Sequence, residues 1–198
     1  MASVIYKDFV ADKSVESHSG TLSDLIEIKY GKDHKKLVEG NIPVYGSGGL
    51  MRKVDSKLYE GESVLIPRKG SLNNVMYVDS EFWTVDTMFY SIQKYPGAAK
   101  YAYEFLKTQD LASMNSGSAV PSMTTVILDA LPLQVPSASA LDALNSKLQP
   151  LYEMRQFNTR ENETLASLRD ALLPKLMSGE IDVSKVDIKQ LNNHLVDC

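Results

Sequence analysis

Apolar residues in the last third of the chain recur in steps of three and four: Leu141, Leu144, Leu148 and Leu151, then Leu165, Leu168, Leu172 and Leu176. That spacing lays them along one stripe of a helix and predicts a long helix over 137–178. Between the two runs the same frame meets Arg155, Asn158 and Asn162, while a shifted frame meets Met154 and Phe157. Polar residues at such a seam cost stability but can fix register and partner number. Pro150 lacks a backbone donor and is expected to kink or split the helix. The stripe either packs on the chain's own core or forms an arm that pairs with another long helix. Length favours the arm: forty-odd residues at ~1.5 Å each reach roughly 60 Å, more than a small domain covers.

Upstream the pattern is that of short strands. Val4–Tyr6 reads as a short strand at most, and Thr21 as the N-cap of a helix over Leu22–Ile28, with Asp24 three residues on. Ile42–Tyr45, Glu62–Pro67, Val75–Val78, Thr87–Ile92 and Leu131–Val135 are strand-like, and Ala98–Thr108 is a helix with Tyr101, Phe105 and Leu106 facing inward. Gly46-Ser47-Gly48-Gly49 is a tight glycine loop, and Ser178-Gly179 ends the long helix. The expected fold is α+β: a β-rich domain over 1–136, a helix over 137–178, and a polar tail over 179–198.

Charge alters this picture locally. The chain of 198 residues carries a net charge of −4, so no global basic field announces nucleic acid. Residues 29–70 nevertheless hold nine Lys/Arg against five Asp/Glu, a net +4, in an otherwise acidic chain. The single cysteine, Cys198, and three scattered histidines give no disulfide framework and no metal spacing. The expectation is a protein of a reducing compartment, the cytoplasm, with no metal and no membrane span.

Motifs for chemistry are sparse. The glycine loop lacks the Lys-Ser/Thr of a phosphate loop, and neither it nor Gly117-Ser118 fits a G-x-S-x-G nucleophile elbow. No Asn/Asp-Pro-Pro-aromatic tetrapeptide, as used by methyltransferases acting on base amino groups, occurs. What remains is basic: Lys29, Lys32, Lys35 and Lys36; Arg52 and Lys53; Arg68 and Lys69. Any one cluster is ordinary solvated surface. Three on successive loops of one scaffold can converge on one face and neutralise phosphates. Ser47, Arg68, Asn73 and Asn74 have the chemistry that reads base edges; Gly48 and Ser71 lie in the same loops, and Ser118 lies in a further loop, Ser116-Gly117-Ser118. Phe82, Trp83, Phe89 and Tyr90 read as core.

Five stretches, in order, resemble one family. Ile42–Gly49, Val64–Ser71 and Phe82–Phe89 are similar to the target recognition domain of the specificity subunit of type I restriction-modification systems. Ser116–Pro121 with Leu131–Pro136 is similar to the end of that domain, and Leu165–Ile181 to the end of its spacer helix. Full subunits of the family carry two recognition domains and two long helices; this chain shows one of each, a half-length form.

The resemblance implies recognition of one half of a gapped site in double-stranded DNA. It also implies an antiparallel coiled coil that sets the gap and docks the modification (methyltransferase) subunits, with the restriction subunit joining through the complex. It implies no catalysis and no cofactor on this chain; S-adenosylmethionine and ATP belong to partner subunits. The expected DNA contacts are Lys29, Lys32, Lys35, Lys36, Ser47, Gly48, Arg52, Lys53, Arg68, Lys69, Ser71, Asn73, Asn74 and Ser118. The expected homodimer interface is Leu141, Leu144, Leu148, Leu151, Asn158, Leu165, Leu168 and Leu172. The rival reading is a helix-mediated dimeric interaction module without DNA readout.

Overall fold

The computed structural model describes residues 1–114 and 122–181. Its elements, in order, are α1 (Ala2–Ala11), β1 (Ser17–Thr21), α2 (Leu22–Leu25), β2 (Ile26–Tyr30), β3 (Ile42–Gly46), β4 (Gly49–Val54), β5 (Tyr59–Pro67), β6 (Met76–Thr84), β7 (Met88–Gln93), α3 (Ala98–Leu106), α4 (Thr125–Asp129), β8 (Pro132–Pro136) and α5 (Ala138–Met177). The chain divides into two compact units, Met1–Leu151 and Tyr152–Cys198. The α+β class expected from sequence is the class observed. The first unit extends beyond the expected boundary at 136 and includes the opening turns of α5.

Six strands form one sheet in the order β2-β7-β5-β6-β3-β4, and β1 pairs with β8 in a separate two-stranded ribbon. Among the described residues the one parallel pairing in the large sheet is short, Val44 opposite Trp83 and Tyr45 opposite Thr84. The sheet curls strongly. Beyond β2, the Lys32 N–H donates to the Thr84 carbonyl at 2.9 Å and the Gly31 N–H to that of Met88 at 2.9 Å, which brings the end of β6 back beside the end of β2. A side chain at position 31 is excluded, since a Cβ there would lie 2.1 Å from the Val85 carbonyl oxygen. Val44, Val54, Leu65, Val78, Phe82, Val85 and Met88 fill the curl. The expected core residues Phe82 and Phe89 are fully buried, and Trp83 and Tyr90 pack against the same cluster.

Val64, Leu65 and Ile66 in β5 have no exposed surface, because this strand is covered on both faces, as a continuous apolar run requires. Helix α3 is buried along its whole length, Lys100 and Glu104 included, rather than on one face. The Lys100 ammonium pairs with Glu62 and lies 5.7 Å from the Tyr77 ring centroid. The Glu104 carboxylate accepts from Ser3 Oγ at 2.8 Å and pairs with Lys107 at 3.2 Å. Burial first, and the carboxylate of its cross-strand neighbour Glu62 second, push the Asp79 carboxyl above its usual range.

Three local expectations are corrected. Val4–Tyr6 is helical within α1: a tertiary contact selects the helix, with Tyr6 edge-on to Tyr101 at 5.3 Å and Phe9 at 6.2 Å. The helix after Thr21 is one turn only. Its cap forms as expected, the Thr21 N–H donating to Asp24 Oδ2 at 2.8 Å and holding that carboxyl below its ordinary range, but the β-branched Ile26 and Ile28 turn the chain into β2 opposite β7. Pro150 does not split α5, which runs continuously from Ala138 to Met177. Gly179, with φ +75°, ends it in a left-handed cap. The tail from 182 lies outside the described residues.

The leucine stripe has two environments. Leu141 and Leu144 are each 2% exposed and Leu148 is fully buried, whereas Leu165, Leu168 and Leu172 are 54%, 52% and 37% exposed. The first three therefore belong to the core of the first unit and offer no surface to a second chain. The expected outcome of Leu148→Ala is a loss of about 2–5 kcal/mol of stability, as for cavity-forming core leucines. Leu168→Ala in the same assay, with the chain dilute enough to be monomeric, is expected to change the thermal midpoint little.

Candidate nucleic-acid interface

The curl of the sheet gathers several chain segments at one pole: the end of β2, the β3–β4 turn, the β5–β6 loop and the β6–β7 turn. Ser47 in the β3–β4 turn meets Gly70 in the β5–β6 loop; a Cβ on Gly70 would come within 2.8 Å of Ser47 Oγ, and its φ of +85° also favours glycine. Asn74 Nδ2 donates to the Ser47 carbonyl at 2.8 Å, fastening the same two loops. Arg68 reaches the other two segments. Its Nη1 donates to the Asp86 carbonyl at 3.3 Å, and its guanidinium lies 5.4 Å from the Tyr30 ring centroid, within cation–π range.

The segment after β2 then crosses to the opposite edge of the sheet. Trp83 Nε1 donates to the Lys32 carbonyl at 2.9 Å. Arg52 Nη2 donates to the His34 carbonyl at 2.6 Å and to that of Leu37 at 3.0 Å. The Asp55 N–H donates to the Val38 carbonyl at 3.1 Å. Within this loop the Lys35 N–H donates to Asp33 Oδ1 at 3.0 Å, which holds the Asp33 carboxyl below its ordinary range.

These contacts sort the sequence candidates. Lys32, Lys35, Lys36, Lys53 and Lys69 are exposed and form no salt bridge among the described residues. Lys69 lies on a convergent loop with Ser47, Gly48, Arg68, Ser71 and Asn74, whereas Lys32, Lys35 and Lys36 lie on the crossing segment and Lys53 lies in β4 rather than in a loop. Three others have intramolecular roles. Lys29 lies in β2 rather than in a loop and pairs with Glu27 at 2.5 Å, which raises the pKa of its ammonium. Arg52 is the clamp on the 34–37 carbonyls. Asn73 uses both ends of its amide on the segment after α3: Nδ2 donates to Asp110 Oδ1 at 3.1 Å and Oδ1 accepts from the Ala112 N–H at 3.0 Å. Ser118 lies outside the described residues; the neighbouring Met123 N–H donates to the Arg68 carbonyl at 2.8 Å.

Sequence reasoning overlooked Tyr30, 53% exposed beneath Arg68, and Leu50 and Met51, 54% and 56% exposed on β4. Nothing in their local pattern separates them from core positions. No group of three or more metal-binding side chains occurs among the described residues, and no helix of the described residues is long and apolar enough to cross a membrane.

Comparisons with known proteins fit this architecture. The family described as type I restriction modification DNA specificity domain matches residues 15–166. A putative type I restriction enzyme specificity subunit of Haemophilus influenzae is 26% identical over 120 residues, covering 55% of this chain and 31% of its own length. The HindI specificity subunit of the same organism is 32% identical over 88 residues, covering 44% of this chain and 17% of its own length. Among solved structures, the type I restriction-modification S subunit of M. genitalium superposes with a TM-score of 0.71 at 20% identity, over 88% of this chain and 52% of that one. A structure of the type I R-M system, described in terms of complex assembly and conformational transition, gives 0.51 at 13% identity, over 87% and 50%. The chain thus spans about half the length of these solved chains and a third or less of the curated relatives. With three-quarters of its residues inside the family match, the chain belongs to the type I restriction modification DNA specificity family.

Proposed function

We propose that this chain reads one half of a gapped DNA target as the specificity component of a type I restriction-modification complex. The observation that supports this most directly is the pole of convergent loops, where Arg68 and Lys69 stand beside the β3–β4 turn. Lys32, Lys35, Lys36 and Lys53 supply further unpaired cations on the adjoining loop and edge strand. Phosphates are neutralised by such cations, while base edges are read by the guanidinium and side-chain amides. The chain itself is non-catalytic: S-adenosylmethionine and ATP act on the modification and restriction subunits that it assembles.

The second unit carries the assembly surface. Leu165, Leu168 and Leu172 are left partly or largely exposed on α5, with Asn158 on the same stripe. Two copies pair antiparallel through this half of the helix, and the modification subunits dock on the pair. The interface proposed from sequence is accordingly confined to the later part of the stripe, beyond Leu151.

Three outcomes are expected. Co-expression with the modification subunit, followed by methylation mapping, returns a palindromic gapped target, since identical halves related by a two-fold axis read identical half-sites. An asymmetric bipartite target would mean that this chain pairs with a different half. Arg68→Ala lowers DNA affinity: a guanine contact costs ~1–3 kcal/mol and relaxes one position, whereas a phosphate contact weakens all sequences alike and reduces the salt slope by about 1. Unchanged affinity, specificity and salt slope would remove Arg68 from the interface. Leu165→Asp with Leu172→Asp yields monomers by sedimentation. A DNA-free interaction module would also dissociate in that last experiment, but would show no methylation target.

A further inference from the structure

We propose that the tip of the β3–β4 hairpin enters the major groove and places Leu50 and Met51 against thymine methyl groups. This rests on the DNA-reading function proposed above and names the element and the base chemistry involved.

The first observation is exposure. Val44 faces Arg52 and Tyr45 faces Leu50, so Met51 is the extra residue of a bulge in the hairpin, and Leu50 and Met51 are 54% and 56% exposed. Two adjacent apolar side chains at the hairpin tip are therefore left open to solvent, while Ser47 in the turn is held against the β5–β6 loop. β4 is also an edge strand of the sheet. A two-stranded ribbon projecting from a sheet edge fits the major groove, which is about 12 Å wide.

The second observation is Gly48. Its neighbour Gly49 has φ +114° and needs to be glycine on that ground alone. Gly48 is not among the glycines with positive φ, and a Cβ added to it meets nothing within 4 Å. Neither backbone conformation nor packing within the described residues requires glycine there. Alanine would stabilise the chain by narrowing its unfolded ensemble. A bare backbone at an exposed turn instead permits close approach by something outside the chain.

The third observation is chemistry and placement. From Tyr45 to Met51 the hairpin carries no charged side chain, so the tip itself offers little to phosphates. The cations stand beside it: Lys53 further along β4, and Lys69 on the loop that Asn74 and Gly70 hold against Ser47. An apolar tip flanked by cations matches a groove edged by phosphates. The apolar group that base pairs display in the major groove is the thymine 5-methyl.

The test uses the full chain together with its modification subunit, and two randomised duplex pools, one containing thymidine and one with deoxyuridine in its place. The wild-type complex is expected to enrich sequences with thymine at fixed positions. Replacing those thymidines by deoxyuridine should weaken binding roughly 4-fold per methyl, the equivalent of about 0.8 kcal/mol for one buried methyl-sized group. The L50A/M51A double variant should bind both forms alike, and Gly48→Val should bind more weakly, each with an unchanged melting temperature. Specific binding that is indifferent to the 5-methyl overturns the hairpin proposal alone, and is the result expected of a minor-groove wedge. L50A/M51A retaining the methyl preference also overturns it. Binding without any sequence preference overturns the DNA-reading function from which it starts.

Discussion

Closure of the six-stranded sheet at Gly31 is the constraint on which the rest of the first unit depends. The Gly31 and Lys32 amides bond to the Met88 and Thr84 carbonyls, and the Val85 carbonyl oxygen occupies the space a side chain at 31 would need. That contact folds the end of β6 onto the end of β2. Strands far apart in the pairing order consequently share one pole. The neighbouring ladders lead to the same pole: Tyr30 and Ile66 both face Phe89, and Tyr45 faces Thr84. The curl also seals Phe82 and Met88 from water, so forming the core and gathering the loops are one event.

The polar groups around this core have different tasks. Arg52 and Asn73 use their donors and acceptors to hold backbone that belongs to no strand. Such segments need partners for their own amides and carbonyls, and a fork of guanidinium donors satisfies two carbonyls at once. Ser63 and Ser91 do similar work inside the sheet, where Val64 N–H donates to Ser91 Oγ at 2.8 Å and Ser91 N–H to Ser63 Oγ at 3.0 Å. Lys100 and Glu104 extend this inward, placing charges on a helix that is buried all round. Removing one partner of such a pair costs more than the pair contributes, because it strands a charge away from water. The lysines of the 32–36 loop, Lys53 and Lys69 are exposed and their ammonium groups have no such role among the described residues.

Helix α5 applies the same division to apolar surface. Its opening turns contribute Leu141, Leu144 and Leu148 to the first unit's core, and its later turns keep their leucines partly in water. One continuous helix thus serves folding at one end and carries an exposed apolar stripe at the other.

Much of this was written in the sequence. The leucine period marked α5, the β-branched and apolar runs marked β3, β5, β7 and β8, Thr21 and Asp24 marked a helix start, and the glycines marked the turns. Each is a local signal, set by backbone preference or by the angle between successive side chains. The ordered resemblance from Ile42 to Ile181 also pointed to the family that the comparison over 15–166 identifies. Tertiary structure alone decided the rest. Periodicity shows that a face is apolar but not what covers it, so Leu148 and Leu168 look alike in sequence and differ in burial. A basic or amide side chain announces its hydrogen-bonding capacity but not its partner, so Arg52 and Arg68 are indistinguishable until the 34–37 carbonyls arrive beside one and the Tyr30 ring beside the other. The helix at Val4–Tyr6, too, forms where Tyr101, nearly a hundred residues away, supplies the surface it packs against.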